Sequence, residues 1–419
     1  MPKHPLEKLL LEHCPQGVEF VELGEVTRRV ANVAWKNNPK NYRYIDLSSV
    51  DRELSQITQT TPINAQNAPS RARYIVETKD VLLGTTRPLL KRITLVGAEH
   101  NGQICSTGFC VLRADIVKVL PEWIFYNIIS DRFFMHARAW QEGTSYPMLA
   151  DKHVMSFTIP LPPLIVQEKI VAILDCFTEL TAELTAELTA RKKQYSYYLN
   201  ALLDFGVAAG GGGVTHEPYS FTHALLNKSF KVEWVALGEV LGYTQPTKYL
   251  VKSTDYDNAH KTPVLTAGQT FILGYTDETE GIYLATPENP CIIFDDFTTS
   301  FHWVNFAFKV KSSALKILTP IQTAQDINFR FIFYAMKCIR FTPREHARHW
   351  IKTYSAFQIP LPPLALQAKI VEILDQFNAL TTDLQEGLPA EIEAREKQYT
   401  HYLNTLLDFG VAGGGGGKP

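Results

Sequence analysis

From Ile170 onward, one stripe of residues recurs alternately four and three positions apart: Ile170, Leu174, Phe177, Thr181, Leu184, Leu188, Arg191, Tyr195, Tyr198 and Leu202. That spacing keeps the stripe on one side of a helix and is the seam of a coiled coil. It predicts about 36 residues of helix, roughly 54 Å long. A second seam opens identically with Ile370, Leu374, Phe377, Thr381, Leu384 and Leu388. It then slips by four residues and resumes at Ile392, Arg395, Tyr399, Tyr402 and Leu406. Such a slip is a stutter, which local unwinding absorbs. Gly387 and Pro389 fall at the slip, so a kink or break near 387–389 is expected. Inside the first seam, LTAELTAELTARKKQY (Leu180–Tyr195) gives Thr-Ala-Glu-Leu twice and begins it a third time. A unit close to one helical turn can be added or removed without destroying the helix. The length of this segment therefore matters more than its chemistry.

The two seams belong to a longer internal repeat. IPLPPLIVQEKIVAILD (Ile159–Asp175) matches IPLPPLALQAKIVEILD (Ile359–Asp375), and KQYSYYLNALLDFGVA from Lys193 matches KQYTHYLNTLLDFGVA from Lys397. Upstream, VEFVELGEV from Val18 matches VEWVALGEV from Val232. IFY at Ile124 matches IFY at Ile332, and HARAW from His136 matches HARHW from His346. So many anchors in one order mark a duplication. Between them lie two divergent bodies, 18–158 and 232–358. Each is followed by a proline hinge and a long helix, at 159–207 and 359–412. Residues 208–231 form a Gly-rich linker and connector, and 413–419 a flexible tail. Residues 1–17 complete the repeat in circular order, close to the end of the second helix.

The bodies read as mixed α/β. In the first, YRYIDLSSVD, RYIVETKDVLLG and ICSTGFCVLR are strand-like, with a helix near PEWIFYNIISDRFF. In the second, KTPVLTAG, TFILGYTD, GIYLA, CIIFDDFTTS and FHWVNFAFKVKSS are strand-like, with a helix near FRFIFYAMKCIRF. The first long helix leads from one body to the other, and the second starts at the second body. If the two helices pack together they run antiparallel, with the bodies at opposite ends and a pseudo-two-fold between them.

Composition mainly excludes. No apolar run reaches the length of a membrane span, and the N-terminal stretch is a poor signal peptide, so a cytoplasmic location without membrane contact is expected. Six scattered cysteines, none in a Cys-x-x-Cys pair, read as buried reduced thiols. The formal net charge of −2 gives no support by itself to nucleic-acid binding, so any cationic surface is local or supplied by a partner. No phosphate-cradling P-loop and no Rossmann glycine pattern is present, which leaves a bound nucleotide or S-adenosylmethionine unsupported. Asp295 and Asp296 suit a metal nuclease in principle, but no third carboxylate follows nearby. A solvated turn pair or a base-reading loop is the preferred reading. His136 and His346 lack a Ser, Cys or Asp partner at a spacing shared by both halves, and read as structural or phosphate-facing.

The basic segments carry the local signal. Lys337, Arg340, Arg344, Arg348 and Lys352 cluster against Glu345 alone, with Phe341, Trp350 and Tyr354 interleaved. The first half offers Arg132, Arg138 and Lys152 among aromatics, with Arg71, Arg73, Arg87, Lys91 and Arg92 elsewhere in the body. Arg and Lys neutralise phosphates, and Arg also reads guanine edges. The DNA-binding set expected is therefore Arg71, Arg73, Arg87, Arg138, Lys152, Arg340, Arg344, Arg348 and Lys352. A scaffold that uses the helices for protein contact without DNA is the other reading.

Two divergent bodies, two near-identical I-P-L-P-P-L…Q…K-I-V…I-L-D-x-F helices and Thr-Ala-Glu-Leu units in the first helix resemble the specificity subunit of type I restriction–modification systems, most closely the IC group. LTAGQTFILGYTDETEGIY and IIFDDFTTS are similar to parts of that family's target-recognition domains. The resemblance implies a non-catalytic DNA-recognition subunit in which each body reads one half of a bipartite site. The helices set the unread spacer and form the seam and subunit contact. The implied partners are double-stranded DNA, two modification subunits that methylate adenine, and restriction/translocase subunits. S-adenosylmethionine, ATP and Mg are then expected on the partners, with no cofactor and no metal in this chain.

Overall fold

The computed structural model describes residues 5–206, 219–224, 226–268, 270–322, 327–343, 347–382 and 387–409. It is a mixed α/β chain that divides into two compact units, Met1–Thr185 with Glu391–Pro419, and Ala186–Ala390. The division cuts through the long helices. Each unit takes its body, the first part of the helix that follows it, and the last part of the other helix.

In the first unit, a four-stranded sheet runs in the order Thr27–Arg28, Phe109–Ala114, Val81–Gly84, Ile93–Leu95. A second four-stranded sheet runs Thr61–Ile63, Tyr42–Ile45, Ile104–Ser106, Ala72–Ile75, with its Tyr42–Ile45 and Ile104–Ser106 strands parallel. In the second unit, the main sheet runs Leu241–Thr244, Leu315–Pro320, Cys291–Asp295, Phe301–Val304. Its smaller sheet runs Ile272–Thr276, Thr262–Leu265, Lys309–Val310, again with one parallel pair. The main sheets thus share one strand order although the bodies diverge in sequence.

The expected elements change at several points. GIYLA forms an isolated bridge, Tyr283 to Phe308, rather than a strand. Leu315–Pro320, a central strand, was not among the segments expected. PEWIFYNIISDRFF holds parts of two helices, Pro121–Ile128 and Asp131–Trp140, because the Ser130 hydroxyl caps a new start by accepting from the Phe133 N–H.

The repeated anchors build one docking frame in each unit. Phe20–Glu22 pairs antiparallel with Thr158–Pro160, and Lys228–Ala236 with Gln358–Leu361. The amide of Leu23 donates to Phe157 O and that of Leu237 to Phe357 O, both at 3.0 Å. Each hinge then feeds a buried glutamine. Gln167 Oε1 accepts from the amide of Leu120 (3.0 Å), the residue capping helix Pro121–Ile128, while its Nε2 donates to Pro162 O (2.8 Å). Gln367 does the same with the amide of Asn328 and with Pro362 O, both at 2.8 Å. Eight residues on, Tyr126 donates to Asp175 and Tyr334 to Asp375.

The first long helix is Leu164–Leu202; the second is found in two pieces, Leu364–Thr382 and Leu388–Leu406. Along the first, Ile170, Leu174 and Leu202 are buried, and Phe177, Leu184, Leu188 and Tyr195 half-buried, while most of their neighbours are exposed. Along the second, Ile370, Leu374 and Leu388 are buried and Phe377 and Tyr399 half-buried. Leu384 lies outside the described residues. Phe177 stacks on Tyr402 at 5.1 Å in the first unit, and Phe377 on Tyr198 at 5.2 Å in the second.

Candidate nucleic-acid interface

In the first unit all five expected cations are exposed, and they come from several different elements. Arg73 lies on the edge strand Ala72–Ile75, and Arg71 just before it. Arg138 sits on helix Asp131–Trp140 and Lys152 on helix Asp151–Met155, which pack on each other. The turn Pro88–Leu90, which begins at Arg87, packs on the first of these helices. Between the edge strand and helix Asp151–Met155 lies a cleft of about 320 Å³, with Tyr74 and Asp151 in its walls and Arg28 and Arg29 in its lining. Arg28 pairs with Asp115 at 2.6 Å, and Arg29 is exposed. Sequence reasoning passed over this pair, whose signal was two arginines one residue beyond the LGEV run that both halves share.

Arg132 departs from the expected pattern. Its guanidinium packs over the Phe20 and Phe157 rings and donates to Thr158 O, so it staples the hinge instead of facing phosphate. Burial holds its pKa below the usual arginine range. His136 also turns inward, with Nε2 2.7 Å from His153 O and the ring against Phe157.

In the second unit Arg340, Arg348 and Lys352 are exposed, while Arg344 and His346 lie outside the described residues. Lys337 is not part of that surface. Its ammonium lies over the Phe333 ring at 4.7 Å and donates to Tyr195 Oη at 3.2 Å. Burial and the neighbouring Arg330 depress its pKa to about 8. Arg330 is itself taken up by Asp375 at 2.7 Å and by the Trp303 ring. A strongly hydrated ammonium loses water when stacked in this way, and a buried cation becomes easier to deprotonate.

The segment carrying Arg348 and Lys352 is held by Asp296. This residue is fully buried, so Asp295–Asp296 is not a solvated pair. Asp296 Oδ1 accepts from the amide of Trp350 and its backbone O from the amide of His349, both at 2.8 Å. Its Oδ2 lies 3.5 Å from the ammonium of Lys316, which donates to Gln245 Oε1 at 2.6 Å. Asp295 instead closes a turn, with Oδ1 accepting from the amides of Phe297 and Thr298 at 2.8 Å. Among the described residues no group of three or more His, Cys, Asp or Glu is placed to hold a metal ion. Cys105, Cys110 and Cys291 are buried as expected, whereas Cys14 and Cys338 are half-buried and Cys176 is exposed on the first long helix.

Among the described residues no helix is long and apolar enough to cross a membrane. The family described as the type I restriction modification DNA specificity domain matches residues 15–191 and 231–394. The specificity subunit of the type I restriction enzyme EcoR124I/EcoR124II of Escherichia coli is 47% identical over 199 residues, which cover 45% of this chain and 48% of that protein. The chain thus matches about half the length of that relative. The type I specificity subunit S.MpnORF89P of Mycoplasma pneumoniae is 28% identical over 329 residues, covering 74% of this chain and 89% of its own. Among solved structures, one concerned with complex assembly and conformational transition of the type I R-M system aligns over 94% of this chain and 98% of its own, at TM-score 0.58 and 26% identity. The S subunit of a type I system from M. genitalium shares the fold at TM-score 0.58 and 14% identity, over 93% and 96% of the two chains.

Proposed function

The chain belongs to the type I restriction–modification DNA specificity family, and from that premise we propose that each unit reads one half of a bipartite site on double-stranded DNA. The observation that carries this reading is one docking frame, repeated at corresponding positions, around two bodies with the same main-sheet order and different exposed cations. A scaffold that only held proteins together has no use for two such bodies. A nuclease reading finds no support, because Asp296 is committed to Trp350 and Lys316. Exposed arginines and lysines on the bodies fix register on phosphates, and side chains at base edges supply sequence. The chain itself is a non-catalytic recognition subunit. Two modification subunits bring S-adenosylmethionine and methylate adenine, and restriction/translocase subunits bring ATP and Mg chemistry, in the cytoplasm where the DNA is.

The test is methylation mapping of DNA exposed to the assembled complex. Replacing residues 241–345 with the corresponding body of another family member should change one half-site and leave the other intact. Alteration of both halves would sink the modular reading. In the same assay, deleting Thr185–Leu188 should shorten the unread spacer by one or two base pairs. Four residues advance a helix by about 6 Å, against roughly 3.4 Å per base pair along one strand. Retention of the parental spacer would make the repeat neutral filler.

A further inference from the structure

On the basis of the recognition role above, we propose that Arg87 is a specificity-determining residue that reads a guanine in the first unit's half-site, oriented by Tyr146. Arg87 and Lys91 bracket the turn Pro88–Leu90, and both have left-handed backbone, with φ of 52° and 55°. Residues with a Cβ hold that conformation only where the surroundings impose it, and such places concentrate at functional sites. Here the surroundings are a second loop. Isolated bridges join Thr86 to Met148 and Glu142 to Met148, and the amide of Arg87 donates to Pro147 O at 2.7 Å. Gly143, at φ +96°, turns that loop.

The two bracketing cations are used differently. The Lys91 ammonium lies over Phe134 at 4.6 Å, against helix Asp131–Trp140. The Arg87 guanidinium lies 4.2 Å from the centroid of Tyr146, and its Nη2 donates to Ser145 O at 3.2 Å. Tyr146 is 69% exposed, so this stack sits at the surface and buries neither partner. Among the described residues Ser145 O is the one acceptor the guanidinium takes, which leaves most of its N–H donors for a ligand. Arg132 shows the contrasting structural use, closed over two rings and a backbone carbonyl.

A planar fork held on a ring by a fixed loop loses little freedom when it binds, and it matches the O6 and N7 acceptors of guanine. Leu89 and Met148, two residues along the chain from Arg87 and Tyr146, are 36% and 53% exposed and available for apolar contact.

The experiment compares the assembled complex carrying Arg87→Lys, Tyr146→Leu or Arg138→Ala with the unsubstituted one, on a DNA library varied at each base of the site and at two salt concentrations. Arg87→Lys keeps the charge but loses the two-pronged fit. It should reduce discrimination roughly tenfold to a hundredfold at one G·C pair of the first half-site, with the second half-site and the salt slope unchanged. Tyr146→Leu should weaken discrimination at that same pair to a smaller degree. Arg138→Ala should lower binding evenly across bases and flatten the salt slope by about one. Three results overturn the proposal: full discrimination retained in Arg87→Lys, an even loss across all bases, or impaired assembly with the modification subunits at unchanged discrimination. If the unsubstituted complex methylated no bipartite sequence, the recognition role itself would fall and this inference with it.

Discussion

The pentapeptides HARAW and HARHW sit at corresponding places in the two bodies, yet they fold differently. The first is helical, within Asp131–Trp140, and leaves Trp140 50% exposed; in the second, Ala347–Trp350 is not helical and Trp350 is 2% exposed. The cause lies outside the pentapeptide. In the second unit Asp296 captures the amides of His349 and Trp350, and the indole packs on Phe294 at 5.1 Å. In the first unit a continuous helix satisfies those amides, and Trp140 stacks on His153 at 4.4 Å. Local likeness survives where both units present the same surroundings, as around Gln167 and Gln367. It fails where the body, free to vary, supplies the partner.

The largest effect that sharpens this contrast is expected at Asp296. Asp296→Asn keeps the acceptor for Trp350 but leaves the buried Lys316 ammonium uncompensated, which costs about 3–5 kcal/mol. Asp295→Asn keeps its turn and should cost less than about 0.5 kcal/mol. Hydrogen exchange read separately on the two units should show loss of protection confined to the second unit in Asp296→Asn. Equal effects of the two substitutions would remove Asp296 as the anchor.

The shared frame should respond alike in both halves. Gln167→Leu and Gln367→Leu each strand a helix-capping amide and a hinge carbonyl, at about 2–4 kcal/mol. Each should loosen its own unit by a similar amount in urea titrations followed by limited proteolysis. A harmless change in one half and a severe one in the other would break the equivalence.

The smallest difference is one of pH. Unit two carries Lys337 in its helix, where unit one has Ile129. The folded pKa of Lys337, about 8, lies below its ordinary value of 10.5. The unfolded chain therefore binds the extra proton between those values, and stability rises with pH through that window. Comparison with Lys337→Met cancels the other titrating groups. Between pH 8 and 10 the native chain should gain about 1–2 kcal/mol relative to this variant. A constant difference would show that the ammonium stays hydrated.

The long helices, the proline hinges and the duplication were legible in the sequence because each depends on spacing within a segment or on near-identity between two segments. Ile170, Leu174 and Phe177 face inward for the same reason that they recur at coiled-coil intervals. The exposed arginines were also legible as a class, since hydrated charges stay at the surface unless something nearby takes them. What takes them was not legible. Lys337 meets Tyr195 and Asp296 meets Trp350 across 142 and 54 residues of chain, and Arg132 meets Phe20 across a strand pairing. The common strand order of the two main sheets was hidden in the same way, because backbone pairing tolerates any sequence of suitable alternation. Periodicity acts along the chain and can be counted there, whereas burial, stacking and strand partnership are properties of segments that only folding brings together.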